Sequence, residues 1–254
     1  VNAAASVAVT LNSGAVTHTK GAWLELFSST ASNTTMLDFI VNGTSTSGQP
    51  RHMLCDIGIG GAGSEVVLVP DIEIGMAGGI RRYNVPIWIP QGTRIAVRYQ
   101  TTPVSHPINV QMAIYNTGHS QVETGVSAVA YGTNPATSTG TPLTLPGAIN
   151  TLGAWTQIAA STSATIRSLL IATTGPLGNS WANSTSVLLD VGYGGVGSEQ
   201  ALVSGLSMGW GTTEFTDSVA LTVPVNLPAG TRLAARYQAN DIAQPPTVSL
   251  IGIS

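Results

Sequence analysis

A ten-residue block that occurs twice constrains this chain more than any other feature. Asp56-Ile57-Gly58-Ile59-Gly60-Gly61-Ala62-Gly63-Ser64-Glu65 returns as Asp190-Val191-Gly192-Tyr193-Gly194-Gly195-Val196-Gly197-Ser198-Glu199. The aspartate, four glycines, serine and glutamate keep one register, so the chain reads as one domain written twice. Two further blocks align to the same frame. Gly21-Ala22-Trp23 matches Gly153-Ala154-Trp155, and Pro90-Gln91-Gly92-Thr93-Arg94-Ile95-Ala96-Val97-Arg98-Tyr99-Gln100 matches Pro228 to Gln238. The offset grows from 132 at the tryptophans to 134 at the aspartates and 138 at the arginines. Insertions therefore fall in the loops between blocks.

The local pattern of each copy is β. Apolar runs precede and follow the glycine block (His52 to Ile59, then Glu65 to Ile74), which places it at a strand–turn–strand junction. Pro-x-Gly is a second turn, because proline presets φ and glycine closes the reversal. After it, strand alternation puts Arg94, Ala96, Arg98 and Gln100 on one face and Ile95, Val97 and Tyr99 on the other. Met36 to Val41 matches Ser168 to Thr173, and Ile108 to Tyr115 or Thr247 to Ile253 closes each copy. Each copy thus holds about seven short strands with turn signals roughly every ten residues and no amphipathic helix. The expected fold is all-β: two tandem, homologous antiparallel β-sandwich domains of jelly-roll type. The expected organisation is an N-terminal arm plus first sandwich over 1–118, a linker over 119–140, and a second sandwich over 141–254. The arm over 1–20 reads as extended, with one edge strand. Trp23 and Trp155 read as core anchors.

Composition excludes several function classes. Only 8% of the 254 residues are charged and the net charge is −3, far below the charge content of ordinary soluble domains. There is no basic patch with interleaved aromatics for a nucleic-acid backbone, and no apolar run long enough to span a membrane as a helix. Val1-Asn2-Ala3-Ala4-Ala5-Ser6-Val7 lacks the basic start and long apolar centre of a signal peptide. Cys55, the one cysteine, lies in an apolar run and reads as a small buried thiol.

The glycine block runs into Val66-Val67-Leu68-Val69 rather than a helix, so it is not a phosphate loop. His18, His52, His106 and His119 have no counterparts in the second copy and no metal-ligand spacing. No serine sits in a hydrolase elbow. No catalytic residue, metal ligand or cofactor is therefore assigned, and no enzyme is expected.

What recurs is charge. Asp56, Glu65, Arg94 and Arg98 return as Asp190, Glu199, Arg232 and Arg236. Two acids and two arginines per copy read as a structural charge network, tying the glycine turn to the arginine strand or to a neighbouring subunit. Asp56 and Glu65 beside exposed carbonyls would also suit calcium, and a glycosidase pair is a third reading, weakened because a catalytic pair kept in both halves of a duplication would be unusual. The non-repeated aromatics Tyr83, Trp88, Trp181, Tyr193 and Trp210 are candidates for a subunit interface or a glycan platform.

Taken together, the Gly-Ala-Trp, Asp-x-Gly-x-Gly-Gly-x-Gly-Ser-Glu and Pro-x-Gly-Thr-Arg-x-Ala-x-Arg-Tyr-Gln blocks resemble structural proteins of tailed-bacteriophage virions. The resemblance implies a head decoration protein, head fibre or tail component: a homo-oligomer, often a trimer, in contact with other virion proteins and located on the virion. It carries no catalytic residue. The alternatives are a carbohydrate-binding adhesin or receptor-binding module, with host-surface glycan as partner, and a tail polysaccharide depolymerase.

Overall fold

The fold is described from a computed structural model, which describes residues 5–43, 52–75, 79–116, 124–175, 185–210, 220–241 and 245–254. Among the described residues the first copy has eight strands: β1 (Ala5–Asn12), β2 (Leu24–Phe27), β3 (Met36–Gly43), β4 (His52–Ile59), β5 (Val66–Gly75), β6 (Gly79–Val85), β7 (Ile95–Thr101) and β8 (Pro107–Tyr115). They form two antiparallel sheets in the orders β1-β8-β3-β6 and β2-β7-β4-β5. The pairs β1·β8, β2·β7, β3·β6 and β4·β5 are nested, as in a long hairpin rolled into two layers, and this is jelly-roll topology. The eighth strand, β6, is the one that local pattern does not announce. It is an edge strand whose outward residues are Ile80, Arg82 and Asn84, while Tyr83 and Val85 point into the core.

The second copy repeats the plan with β11 (Thr156–Ala159), β12 (Ile166–Thr174), β13 (Thr185–Tyr193), β14 (Gln200–Trp210), β15 (Ala220–Leu227), β16 (Leu233–Ala239) and β17 (Thr247–Ile253). Its sheet β11-β16-β13-β14 matches β2-β7-β4-β5 strand for strand. Its first strand is split. β9 (Ala128–Tyr131) pairs with the end of β17 and β10 (Thr141–Pro142) with its start, and the chain between them loops out. Residues 128–131 lie in the stretch expected as a linker, so the second sandwich begins before residue 141. Composition hid this, because a short strand of Ala, Val and Tyr between Ser/Thr-rich flanks carries little periodic signal.

The strands are rich in Val, Ile, Leu and Tyr, and alternation sends one face of each inward. Leu37, Phe39, Ile57, Ile72, Ile74, Tyr83, Val97, Tyr99 and Met112 fill the first core, and Leu169, Ile171, Leu189, Val191, Leu233, Tyr237, Val248 and Leu250 the second. The copies are not beads on a string. Leu170, Ala172, Ile251 and Ile253, on the outer face of β12 and β17, belong to the first copy's core. The edge strands β5 and β6 meet β9, β12, β15 and β17 there. The second copy closes the open side of the first.

Candidate functional site

The repeated block is built on a shelf. Gly58 is in β4 and Trp23 lies across it: a methyl group added at Gly58 would stand 2.6 Å from the indole. The Arg98 guanidinium covers the other side of that ring, 4.4 Å from its centroid, while its Nε donates to Asp56 Oδ2 at 2.9 Å. The second copy reproduces this stack. Gly192 lies under Trp155, Arg236 is 4.4 Å from the ring, and Arg236 Nε donates to Asp190 Oδ2 at 3.0 Å. The tryptophans are therefore half-buried on the outer face of their sheet, between a glycine and an arginine, rather than core anchors as expected. Each cation–π contact of this kind contributes about 0.5–2 kcal/mol.

One turn away, Arg94 Nε donates to Glu25 Oε2 (2.7 Å), and its Nη1 donates to Glu65 Oε1 (2.8 Å) and to the Gly60 carbonyl (3.2 Å). Arg232 does the same with Gln157, Glu199 and Gly194 at 3.1, 2.9 and 3.2 Å. This clamp fixes the glycine turn, where Gly60 and Gly63 (φ 113° and 79°) and Gly194 and Gly197 (φ 111° and 81°) adopt a backbone that side chains resist. Glu65 loses solvation, which alone would raise its pKa. Hydrogen bonds from its own and the Gly63 backbone and from Arg94 outweigh this and hold it below the usual carboxylate range. Its own backbone N–H and Arg232 hold Glu199 down against the same penalty. Hydrogen bonding to Glu25 and Glu65 raises Arg94 further.

All eight recurring charges are thus engaged with partners of opposite charge within their own copy. Asp56 also accepts from Lys20 Nζ at 2.7 Å. Glu65 and Glu199, held below the ordinary carboxylate range, are not poised for proton transfer. Among the described residues no three His, Cys, Asp or Glu side chains gather as a metal-ligand group. Cys55 is fully buried, and burial pushes its thiol far above the ordinary range.

The aromatics divide. Tyr83 is 1% exposed and packs beside Phe39, 6.3 Å between ring centroids, so it is a core residue and not a surface one. Its neighbours in the sequence, Arg82 and Asn84, are polar, and only the inward turn of β6 reveals its burial. Tyr193 lies against the second core and donates its hydroxyl to Gln200 Oε1 at 2.8 Å. Trp88 is 42% exposed. Trp181 and the side chain of Trp210 lie outside the described residues.

The polar cluster that sequence reasoning missed lies at the junction. Glu73 of β5 is 0% exposed. Its Oε1 accepts from the Gly140 N–H (2.7 Å), Thr174 Oγ1 (3.1 Å) and Thr247 Oγ1 (2.5 Å), all in the second copy. His52 Nδ1 and Thr174 Oγ1 are 2.8 Å apart. Burial pushes the Glu73 carboxyl up against the opposing pull of those hydrogen bonds. The sequence signal was faint: Glu73 is an acid in a chain with few, and Ser207 stands at its place in the second copy.

Fold and site together define an all-β protein of two tandem antiparallel sandwiches joined by a buried junction. No family model matches the chain, and no curated protein matches it. Among solved structures, the N-terminal CBM22-1-CBM22-2 tandem domain from Paenibacillus barcinonensis Xyn10C is similar over 99% of this chain and 92% of that one, at 9% identity and a TM-score of 0.27. The infectious bursal disease virus VP2 subviral particle is similar over 97% of this chain and 71% of that one, at 7% identity and a TM-score of 0.23.

Proposed function

We propose that this chain is a non-enzymatic structural protein on the outside of a tailed-phage particle, as a capsid decoration, head fibre or tail component. One observation carries the reading. Every charge kept in both copies is spent on holding sheet, turn and tryptophan together, which is the investment of a scaffold rather than of a catalyst. The resemblance of the repeated blocks to virion proteins supports it, as does a surface so poor in charge that self-association meets little repulsion. Gold-labelled antibody against the chain, applied to particles from its source and viewed by electron microscopy, tests it. Regular labelling over heads or along tails is expected, and particles that carry no label would overturn it.

A second reading, a glycan-binding adhesin, is favoured by Trp88, which exposes 42% of its surface and has Asn226 as its counterpart. It requires saturable glycan binding that Trp88→Ala abolishes.

A further inference from the structure

The two copies present the same sheet face to different surroundings, and the difference points to a partner. In the first copy the outer face of β4 and β7 is covered by the loop between β9 and β10. Gln100 Nε2 donates to the Pro135 carbonyl at 2.6 Å and to Ser138 Oγ at 3.0 Å, and His18 Nδ1 lies 2.9 Å from Ser138 Oγ. Beneath that loop Leu54 is 0% exposed and Gln100 3%.

The repeat places Leu188, Gln238 and Asn150 at the positions of Leu54, Gln100 and His18. His18 and Asn150 even share a positive φ, 58° and 56°, and donate their N–H groups to the equivalent carbonyls of Thr101 and Ala239. Yet the second face is open. Leu188 is 37% exposed, and Leu152 and Ile149 beside it are 44% and 56% exposed. Leu152 stands where the first copy has Lys20, so the open version is the more apolar one. Arg236 and Asp190, which lie on the same face of β16 and β13, are paired with each other.

We propose that this face, centred on Leu152 and Leu188, is a self-association surface that takes the same face of a second copy of this chain across a twofold axis. Three points select that occupant. The equivalent face of the first copy is already a buried docking surface within the molecule, so its shape and its glutamine hook suit polypeptide. The covering loop of every chain is occupied on its own first copy, so a second chain cannot supply that loop. A face that is apolar and free of unpaired charge meets its own copy without repulsion, as an isologous contact requires. The inference concerns self-association alone and is separable from the particle reading, because a dimer can form whether or not the protein belongs to a virion.

The test is the mass of the purified 254-residue chain by light scattering across a hundredfold range of concentration. The expected result is a dimer of twice 26.0 kDa. Leu152→Lys with Gly205→Asp grafts onto the second copy the ion pair that the first copy already accommodates, so the variant should fold and run as a monomer. Leu188→Ser is the second, milder variant and should weaken the dimer at least tenfold. Val16→Ser, at an exposed valine away from the face, should change nothing, with circular dichroism confirming the fold of each. A wild-type monomer at all concentrations, another stoichiometry, or a dimer indifferent to both face variants would overturn the proposal.

Discussion

Single residues show how two copies of one domain diverge without losing the fold. Asp71 and Gly205 occupy the same bulge, with φ of 46° and 65°, and each gives its N–H to the buried aspartate of its copy at 3.0 and 2.9 Å. A left-handed backbone suits glycine and tolerates aspartate. The aspartate is present where there is a cation to meet it: Lys20 Nζ reaches Asp71 at 2.8 Å, Asp56 at 2.7 Å and the Leu54 carbonyl at 3.1 Å. In the second copy both partners are neutral, Leu152 and Gly205. Lys20 is largely buried, so Lys20→Leu strands Asp71 and leaves Asp56 with Arg98 as its one cation, and is expected to cost about 2 kcal/mol, between the values for exposed and buried pairs. Lys20→Leu with Asp71→Gly restores the neutral pairing and should recover most of that loss. Urea unfolding of the two single variants and the double variant measures the coupling. Strict additivity would show that the pair is not a unit.

Elements carry the legible part of the fold and also mark where legibility stops. β4 and β17 run over the residues that sequence pattern gives them, and the inward set Ile95, Val97 and Tyr99 is where alternation puts it, because period two and flanking turn chemistry are local properties. Burial by the other copy is not local. β5 is exposed or half-exposed at its start and fully buried from Ile72 to Gly75, where the second copy lies over it, and nothing in its own pattern distinguishes Glu73 from a solvent-facing acid. The half-buried tryptophans escaped for a related reason: their partners, Gly58 and Arg98, are distant in sequence. Glu73 also gives β5 a pH dependence of definite sign. Its pKa in the folded chain is raised, so the folded state holds a proton that the unfolded chain releases, and stability should fall as pH rises from the ordinary carboxylate range through the raised value. Glu65 and Glu199, with lowered values, act in the opposite direction. The difference between wild type and Glu73→Gln isolates the junction: the melting temperature of the variant should gain on wild type as pH increases. A difference that is flat with pH would mean that Glu73 titrates as an ordinary carboxyl.

At the scale of the molecule the two sandwiches are unequal partners. The first borrows Leu170, Ala172, Ile251 and Ile253 to close its core, whereas the second has its own core of Leu169, Ile171, Val248 and Leu250 on the opposite face of the same strands. β12 and β17 are consequently buried on both faces, and each alternate residue along them belongs to a different domain. Two domains that share strands in this way cannot melt independently while the junction holds. The native chain is expected to give one calorimetric transition, with van't Hoff and calorimetric enthalpies equal. Leu170→Asp places a charge on the side of β12 that faces the first copy and leaves Leu169 and Ile171 in place. Burying that charge costs several kcal/mol, so the junction should open instead. The transition should then divide in two, and the lower one should belong to the first copy, whose core is left open on the β5–β6 side. Tyrosine and tryptophan signals assign it, since Tyr83 and Tyr99 report on the first core and Tyr237 on the second. A variant that still melts in one step would mean that the cores are coupled by something other than this face, and the borrowed-core account of the fold would fail.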